Sequence, residues 1–123
     1  MVMFNKKILI VDDDIDIREP FNDYLILKGF KNVICAATPA EALALIEAHK
    51  PDLILLDIQL KDRINGIEIL KRTKETLSPG SKVIMISGHR DEYEEKSYKL
   101  GADSFWGKPI RSEQILEGIK KYL

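Results

Sequence analysis

The hydrophobic positions of the chain concentrate in three short aliphatic runs, at residues 8–11, 53–56 and 83–86. Each run is apolar at every position and too short for a helix, which is the pattern of a parallel strand covered by helices on both faces. Two weaker runs, at residues 33–37 and 104–106, predict further strands. The sequence therefore predicts five strands.

Helical periodicity and helix-ending residues separate these strands. Thr38, Pro39 and Glu41 form a capping box with proline at the first helical position, so a helix begins there. Pro20 fits the first helix only if that helix begins close before it, and a kink is expected otherwise, because proline has no amide to donate. Ser112 is predicted to cap the last helix. The predicted helices cover residues 16–27, 39–49, 66–77, 91–100 and the segment after 112.

The alternation of strands and helices indicates an α/β domain, a doubly wound parallel sheet with five strands and five helices in three layers. With 123 residues, 45% of them apolar and 32% charged, the chain fits one globular domain. The net charge of −1 gives no reason to expect nucleic acid or an anionic membrane as a direct partner. No apolar stretch has membrane-spanning length and no signal-peptide core precedes the first strand, so a cytoplasmic location is expected. The single cysteine, Cys35, is expected to be a buried thiol.

Chemically active side chains follow the predicted strands. Asp12 and Asp13 follow the first strand, Asp57 and Ser87 end the third and fourth, and Lys108 follows the fifth. The carboxyl ends of parallel strands share one edge, so these groups should lie together. Two carboxylates ~4 Å apart at an effective dielectric of ~20 repel by about 4 kcal/mol, which calls for a raised pKa or a bound cation. Hard oxygen ligands favour Mg²⁺, and aspartate is a known nucleophile for phosphoryl groups.

Four spaced features resemble the receiver domain of bacterial two-component response regulators, across essentially the whole chain. They are ILIVDD ending at Asp13, LILLD ending at Asp57, VIMIS ending at Ser87, and Lys108 with its following proline after Gly-Ala-Asp. Each feature alone is weak, but the four in this order and spacing are specific. The resemblance implies that residues 1–123 form one receiver domain with a flavodoxin-like (CheY-like) fold and strand order 2-1-3-4-5.

The resemblance also implies the chemistry of the site. Asp57 would accept a phosphoryl group from a sensor histidine kinase or a phosphotransfer protein, assisted by Lys108. Asp13, Asp57 and the backbone carbonyl of Gln59 would hold Mg²⁺ directly, with Asp12 acting through water. The protein would not be an enzyme in the ordinary sense, but a phosphoacceptor that assists its own phosphorylation and dephosphorylation.

In that family, phosphorylation draws the hydroxyl of the Ser87 position inward, and an aromatic side chain, here Phe105, rotates into the vacated space. The implied two-state surface comprises helix 4, strand 5 and helix 5. The bond between Lys108 and Pro109 is expected to be cis. Gln59 and His89 occupy positions that resemble those tuning the lifetime of the phosphoryl group, although His89 by itself reads as an exposed loop residue.

Three positions depart from the family pattern. Lys61 stands where proline is usual, and the loop of residues 61–65 is one residue longer than the commonest form. Trp106 stands where an aliphatic residue is usual, so either the core beneath the fifth strand is reshaped or the indole is partly exposed.

Rival functions are weaker. A flavodoxin-like cofactor binder needs a glycine-rich phosphate loop, and a dinucleotide binder needs G-x-G-x-x-G, which this sequence lacks. An aspartyl-phosphate hydrolase would need an acid where Gln59 stands. A receiver-like docking module that is never phosphorylated is the remaining alternative. The sequence leaves open the kinase, the signal, an output domain or partner protein, and a homodimer through the face of the fourth and fifth helices, a possibility suggested by the sparse anchoring of the fourth helix.

Overall fold

A computed structural model of the chain describes residues 2–61 and 63–123. Within these residues a single 3₁₀ turn at Val2–Asn5 precedes five strands and five α-helices that alternate along the chain. The strands are β1 (Lys7–Val11), β2 (Asn32–Ala36), β3 (Leu53–Asp57), β4 (Lys82–Ser87) and β5 (Ser104–Gly107). The helices are α1 (Ile15–Leu27), α2 (Pro39–His49), α3 (Gly66–Arg72), α4 (Arg90–Lys99) and α5 (Ser112–Tyr122).

The strands form one parallel sheet in the order β2-β1-β3-β4-β5, which confirms the expected topology. The register pairs Val11 with Leu56, and Asp57 with Ile86. Asp12 therefore follows β1 at the level where Asp57 ends β3. This register places the polar strand ends side by side.

One face of the sheet packs against α2, α3 and α4. Side chains of successive strand residues point to opposite faces, so each aliphatic run supplies both layers of the core. Ile46 of α2 and Leu70 of α3 are fully buried against this face. The strand residues on it are Leu9, Val11, Ile54, Leu56, Val83, Met85 and Phe105.

The other face packs against α1 and α5 and contains Trp106. The indole is 4% exposed, so the core beneath β5 is reshaped and the alternative of a partly exposed indole is wrong. Gly118 of α5 makes room for it, because a Cβ there would lie 2.2 Å from Trp106 Cζ2. The half-buried Cys35 is less enclosed than the sequence predicted, although burial raises the pKa of its thiol.

α1 begins too early for Pro20 to lie in its first turn, which is the case for which the sequence predicts a kink. Asp14 caps the helix by accepting a hydrogen bond from the Asp16 amide at 3.0 Å, so Pro20 is the sixth helical residue. Thr38 caps α2 as predicted, accepting from the Glu41 amide at 3.2 Å. A local oxygen acceptor therefore fixes the first turn of both helices.

One helix changes its type along its length, and one predicted helix cap is wrong. The third helix ends at Leu77 as predicted, but its last five residues, Thr73–Leu77, are π-helical. The Ser78 amide donates to the carbonyl of Thr73, five residues earlier, at 3.0 Å. Ser112 is the first residue of α5 and not its cap; Arg111 holds the cap position and makes no side-chain capping bond. Within the described residues, none of the helices is long and apolar enough to cross a bilayer.

Candidate functional site

The site lies at the carboxyl edge of the sheet, where four strands deliver polar groups. Asp12 and Asp13 follow β1, Asp57 ends β3 and Ser87 ends β4. The Lys108 amide donates to the Ser87 carbonyl at 2.9 Å, which extends the pairing of β4 with β5 by one residue. The peptide bond after Lys108 is cis, as predicted. The strand ends therefore bring together the side chains that the sequence singled out.

Three carboxylates form the centre of the site. Asp12, Asp13 and Asp57 each offer an oxygen, and these oxygens all lie within 4.8 Å of one another. Asp57 is 3% exposed and Asp12 is 5% exposed, whereas Asp13 is half-buried. Such crowding of acids costs stability unless a proton or a cation compensates for it.

The electrostatics of the cluster show this cost. Burial, the largest cause, and the neighbouring Asp12 together raise the pKa of Asp57 to about 6, although the Lys108 ammonium offsets part of their effect. Burial also raises the pKa of Asp12, partly offset by the hydrogen bond from the Asp14 amide to its Oδ1 at 2.9 Å. Ionisation of all three carboxyl groups at once is therefore unfavourable without a bound cation.

Lys108 is the cation that faces the cluster. Its Nζ lies 3.3 Å from Asp57 Oδ1 as an ion pair, and about a third of its side chain is exposed. The contact does not have hydrogen-bond geometry, so Asp57 Oδ1 is buried without a hydrogen-bond donor among residues 2–61 and 63–123. A buried carboxylate oxygen in this condition is suited to take a bond from a ligand.

The acidic cluster has the donor chemistry of a Mg²⁺ site. Carboxylate oxygens are hard ligands, and Mg²⁺ is usually held by one or two of them together with waters and phosphate oxygens. Both the convergent oxygens and Asp57 Oδ1, which has no hydrogen-bond donor among the described residues, fit this ion. The backbone carbonyl of Gln59 as a fourth ligand stays a prediction.

The Ser87 hydroxyl faces Gln59 rather than Asp57. Ser87 Oγ donates to Gln59 Oε1 at 2.9 Å and accepts from the His89 amide at 2.9 Å. The Gln59 Nε2 group is buried and has no acceptor in the part of the chain that the structure describes. The side chain of Gln59 therefore holds the hydroxyl, a role that the sequence analysis missed because it considered only the Gln59 carbonyl and position.

The aromatic switch candidate, Phe105, is 4% exposed and points into the core. The guanidinium of Arg90 lies over its ring at 5.3 Å from the centroid. Arg90 also donates to Glu94 one helical turn later, at 2.7 Å. The first turn of α4 is thus in contact with the ring that the resemblance identifies as mobile.

The loop after β3 closes back on the site. Gly66, the first residue of α3, donates its amide to the Ile58 carbonyl at 2.9 Å. A Cβ at Gly66 would lie 2.5 Å from the Asp57 carbonyl oxygen, so only glycine allows this approach. The Lys61 amide reaches Asp13 Oδ2 at 2.9 Å, a backbone contact that no side-chain pattern could have indicated.

Known proteins are similar to this chain in both sequence and fold. The family model of the response regulator receiver domain matches residues 8–120. Sporulation initiation phosphotransferase F of Bacillus subtilis is 36% identical over 122 residues, covering 98% of this chain and 96% of that protein. A CheY-like receiver domain protein from Methanospirillum hungatei aligns with a TM-score of 0.88 at 39% identity, covering 95% of this chain and 92% of that one.

A further solved structure that resembles this chain contains a phosphorylated aspartic acid. It is a response regulator protein from Burkholderia pseudomallei with a phosphorylated aspartic acid, a calcium ion and citrate. It aligns with a TM-score of 0.84 at 26% identity, covering 94% of this chain and 66% of that one. Taken with the family match over residues 8–120, these similarities show that this chain belongs to the family of response regulator receiver domains.

Proposed function

We propose that this chain is a phosphoacceptor of a two-component system, in which Asp57 receives a phosphoryl group from a phosphohistidine of a sensor histidine kinase or phosphotransfer protein. The observation that carries the proposal is the buried Asp57 carboxylate, clustered with Asp12 and Asp13 and paired with Lys108. The phosphorylated aspartic acid in the Burkholderia pseudomallei relative supports it.

In the proposed transfer, an Asp57 oxygen bonds to phosphorus while the bond from phosphorus to the histidine nitrogen breaks. The imidazole leaves as a neutral group when its second nitrogen is protonated, and the product is a mixed anhydride. Attack by one anion on another needs positive charge close by. Lys108 supplies one such charge, 3.3 Å from the attacking carboxylate.

Mg²⁺ is the proposed cofactor, held by Asp13, Asp57 and the Gln59 carbonyl, with Asp12 acting through water. When bound, the ion supplies positive charge that shields the phosphoryl oxygens from the carboxylates. The same residues would let the protein assist both its own phosphorylation and its later dephosphorylation. Support comes from the three convergent carboxylate oxygens.

The proposed switch starts at Ser87. Its hydroxyl can donate only one hydrogen bond, and Gln59 Oε1 accepts it. A phosphoryl oxygen on Asp57 would therefore have to replace the Gln59 amide oxygen as the acceptor. Phe105 and the surface of α4, β5 and α5 would respond to this movement. The weak anchoring of α4 supports the proposal, since Ser97 is its only buried side chain among the described residues and has no hydrogen-bond partner there.

The partner surface is proposed to lie beside the acidic cluster. Ile15 and Ile17 at the start of α1 are 51% and 42% exposed, although both are large and apolar. Ile17 also lines a groove of about 700 Å³ between α1 and the segment after β5. An apolar rim around a polar centre suits a transient protein partner. We place the protein in the cytoplasm, where such kinases deliver the phosphoryl group.

Acetyl phosphate with Mg²⁺, followed by intact mass measurement, tests the proposal. The wild-type protein should gain one phosphoryl group and Asp57→Asn none. Asp52→Asn is the matched control, because Asp52 precedes the same strand at its opposite end and should leave the gain unchanged. A wild-type protein that gains no mass would instead support the unphosphorylated docking module.

A further inference from the structure

The three acids of the cluster are held in place by different groups. Asp12 accepts from the amide of Asp14, two residues later, and Asp57 pairs with Lys108. Asp13 is held from across the sheet edge, because its Oδ2 accepts the Lys61 amide at 2.9 Å although the two residues are 48 positions apart. The half-buried Asp13 is thus positioned by the loop after β3.

The hydrogen bond from the Lys61 amide opposes the repulsion between Asp13 and the other two carboxylates. Two buried acids lie within 4.8 Å of the Asp13 carboxylate and would drive it outward toward solvent. A backbone amide stabilises the carboxylate where it is and fixes which oxygen remains available. Groups that orient a metal-ligating carboxylate typically change metal affinity by about 10-fold to 100-fold when they are removed.

We propose that the backbone amide of Lys61 is a positioning group for cation binding: it holds Asp13 toward Asp57, so that the loop after β3 sets the affinity for Mg²⁺. The inference rests on the proposed function, in which this cluster holds the ion. The exposed Lys61 side chain takes no part, and any residue with an amide proton serves. Proline is the one residue type that removes the donor.

The same loop also contains Gln59, which holds the Ser87 hydroxyl. One short segment is therefore hydrogen-bonded both to a proposed metal ligand and to the proposed switch hydroxyl. Because Gln59 and Lys61 are only two positions apart, the backbone between them connects the Asp13 carboxylate with the Ser87 hydroxyl.

The test compares three proteins, namely wild type, Lys61→Ala and Lys61→Pro, by calorimetric titration with Mg²⁺ at pH 8. Lys61→Ala keeps the amide and should bind within about twofold of wild type. Lys61→Pro lacks the amide and should bind about 10-fold more weakly. Equal affinity of the proline and wild-type proteins, or equal weakening in both variants, would overturn the proposal.

A kinetic measurement separates positioning from a general loss of structure. With acetyl phosphate, Lys61→Pro should need about 10-fold more Mg²⁺ for half of the maximal rate, while its maximal rate at saturating Mg²⁺ stays within about twofold of wild type. A fall in the maximal rate with an unchanged Mg²⁺ requirement would contradict the inference. If the proline variant does not fold, replacing only this amide by an ester removes the same proton and must give the same weakening.

Failure of the proposed function would look different. In that case the wild-type protein would gain no phosphoryl group from acetyl phosphate, whether or not it binds Mg²⁺. Hydrogen exchange in the metal-free protein still decides whether Lys61 holds Asp13: the Lys61 amide should be protected in wild type and exchange at least about 10-fold faster in Asp13→Ala. An unprotected Lys61 amide in wild type would refute the contact itself.

Discussion

The acidic side chains at the two edges of the sheet have opposite kinds of neighbours. At the amino edge, Asp52 accepts the Lys7 amide at 2.8 Å, and Asp103 accepts the Val83 amide at 2.9 Å and the Lys74 ammonium at 3.1 Å. At the carboxyl edge, by contrast, the acids face one another. The amino edge therefore uses its acids to join strands, whereas the carboxyl edge keeps a cluster that is unfavourable until a ligand compensates for it.

The largest expected effect comes from neutralising the unfavourable edge. The Asp57 carboxyl has a pKa of about 6 when folded, against an ordinary pKa of 3.8. Between these values the folded protein keeps a proton that the unfolded chain has lost, so metal-free stability falls as pH rises. Asp57→Asn should therefore be more stable than wild type by about 3 kcal/mol at pH 8, but not below pH 4.

Urea unfolding at both pH values, followed by Trp106 fluorescence, measures this effect. The exposed Asp23→Asn variant controls for the exchange of side chain. If Asp57→Asn proves no more stable than wild type at pH 8, the Asp57 charge does not destabilise the folded protein.

The opposite sign is expected at the amino edge. Asp103→Ala leaves the Val83 amide and the Lys74 ammonium without their shared acceptor, which should cost about 2 kcal/mol. Urea unfolding at pH 8, with the exposed Asp23→Ala as control, measures the loss. A loss below about 0.5 kcal/mol would remove the contrast between the two edges.

Metal should act at one edge only. At ten times its dissociation constant, Mg²⁺ should stabilise the wild-type protein by about 1.4 kcal/mol, and Asp103→Ala by the same amount. Asp57→Asn should gain less, and the wild-type gain should shrink below pH 6, because the ligands must be ionised. Thermal unfolding with and without Mg²⁺ gives these differences; an equal gain in Asp57→Asn would place the ion elsewhere.

The smallest effect distinguishes two lysines at the amino edge. Lys82 Nζ is 3.9 Å from Asp103 Oδ1 and its side chain is half exposed, so Lys82→Met should change stability by less than about 0.5 kcal/mol. Lys74 is only 18% exposed and also donates to the Ser81 carbonyl at 2.7 Å. Lys74→Met should cost about 1 to 2 kcal/mol in the same urea experiment. Equal losses would show that burial does not matter here.

The sequence predicted the strands and the side chains at their ends, because aliphatic runs and the acids after them are local features. Strand order came from the resemblance, and the structure confirms it. The change from α-helix to π-helix after Arg72 was not predicted from the sequence. It begins at the buried Thr73, whose hydroxyl donates to the Ile69 carbonyl at 2.7 Å, a contact that depends on packing. Serine is favoured at cap positions and the sequence therefore predicts Ser112 as the cap of α5, but Arg111 occupies that position without a capping bond.

Within the site, side-chain identity was predictable and hydrogen-bond partners were not. Asp12, Asp13 and Asp57 converge as expected. The hydroxyl of Ser87 instead pairs with Gln59, and this depends on how the loop after β3 is folded. The fit of Trp106 against Gly118 likewise joins two residues whose pairing only the tertiary structure defines.

The close approach of Gly66 to the acceptor strand has a practical consequence for protein engineering. Its bond to the Ile58 carbonyl pins both ends of the intervening loop beside Asp57. The closure entropy of such a loop grows only logarithmically with length, so residues inserted after Lys61 should cost little stability. New recognition sequences can therefore be grafted there while the acceptor carboxylate stays where it is.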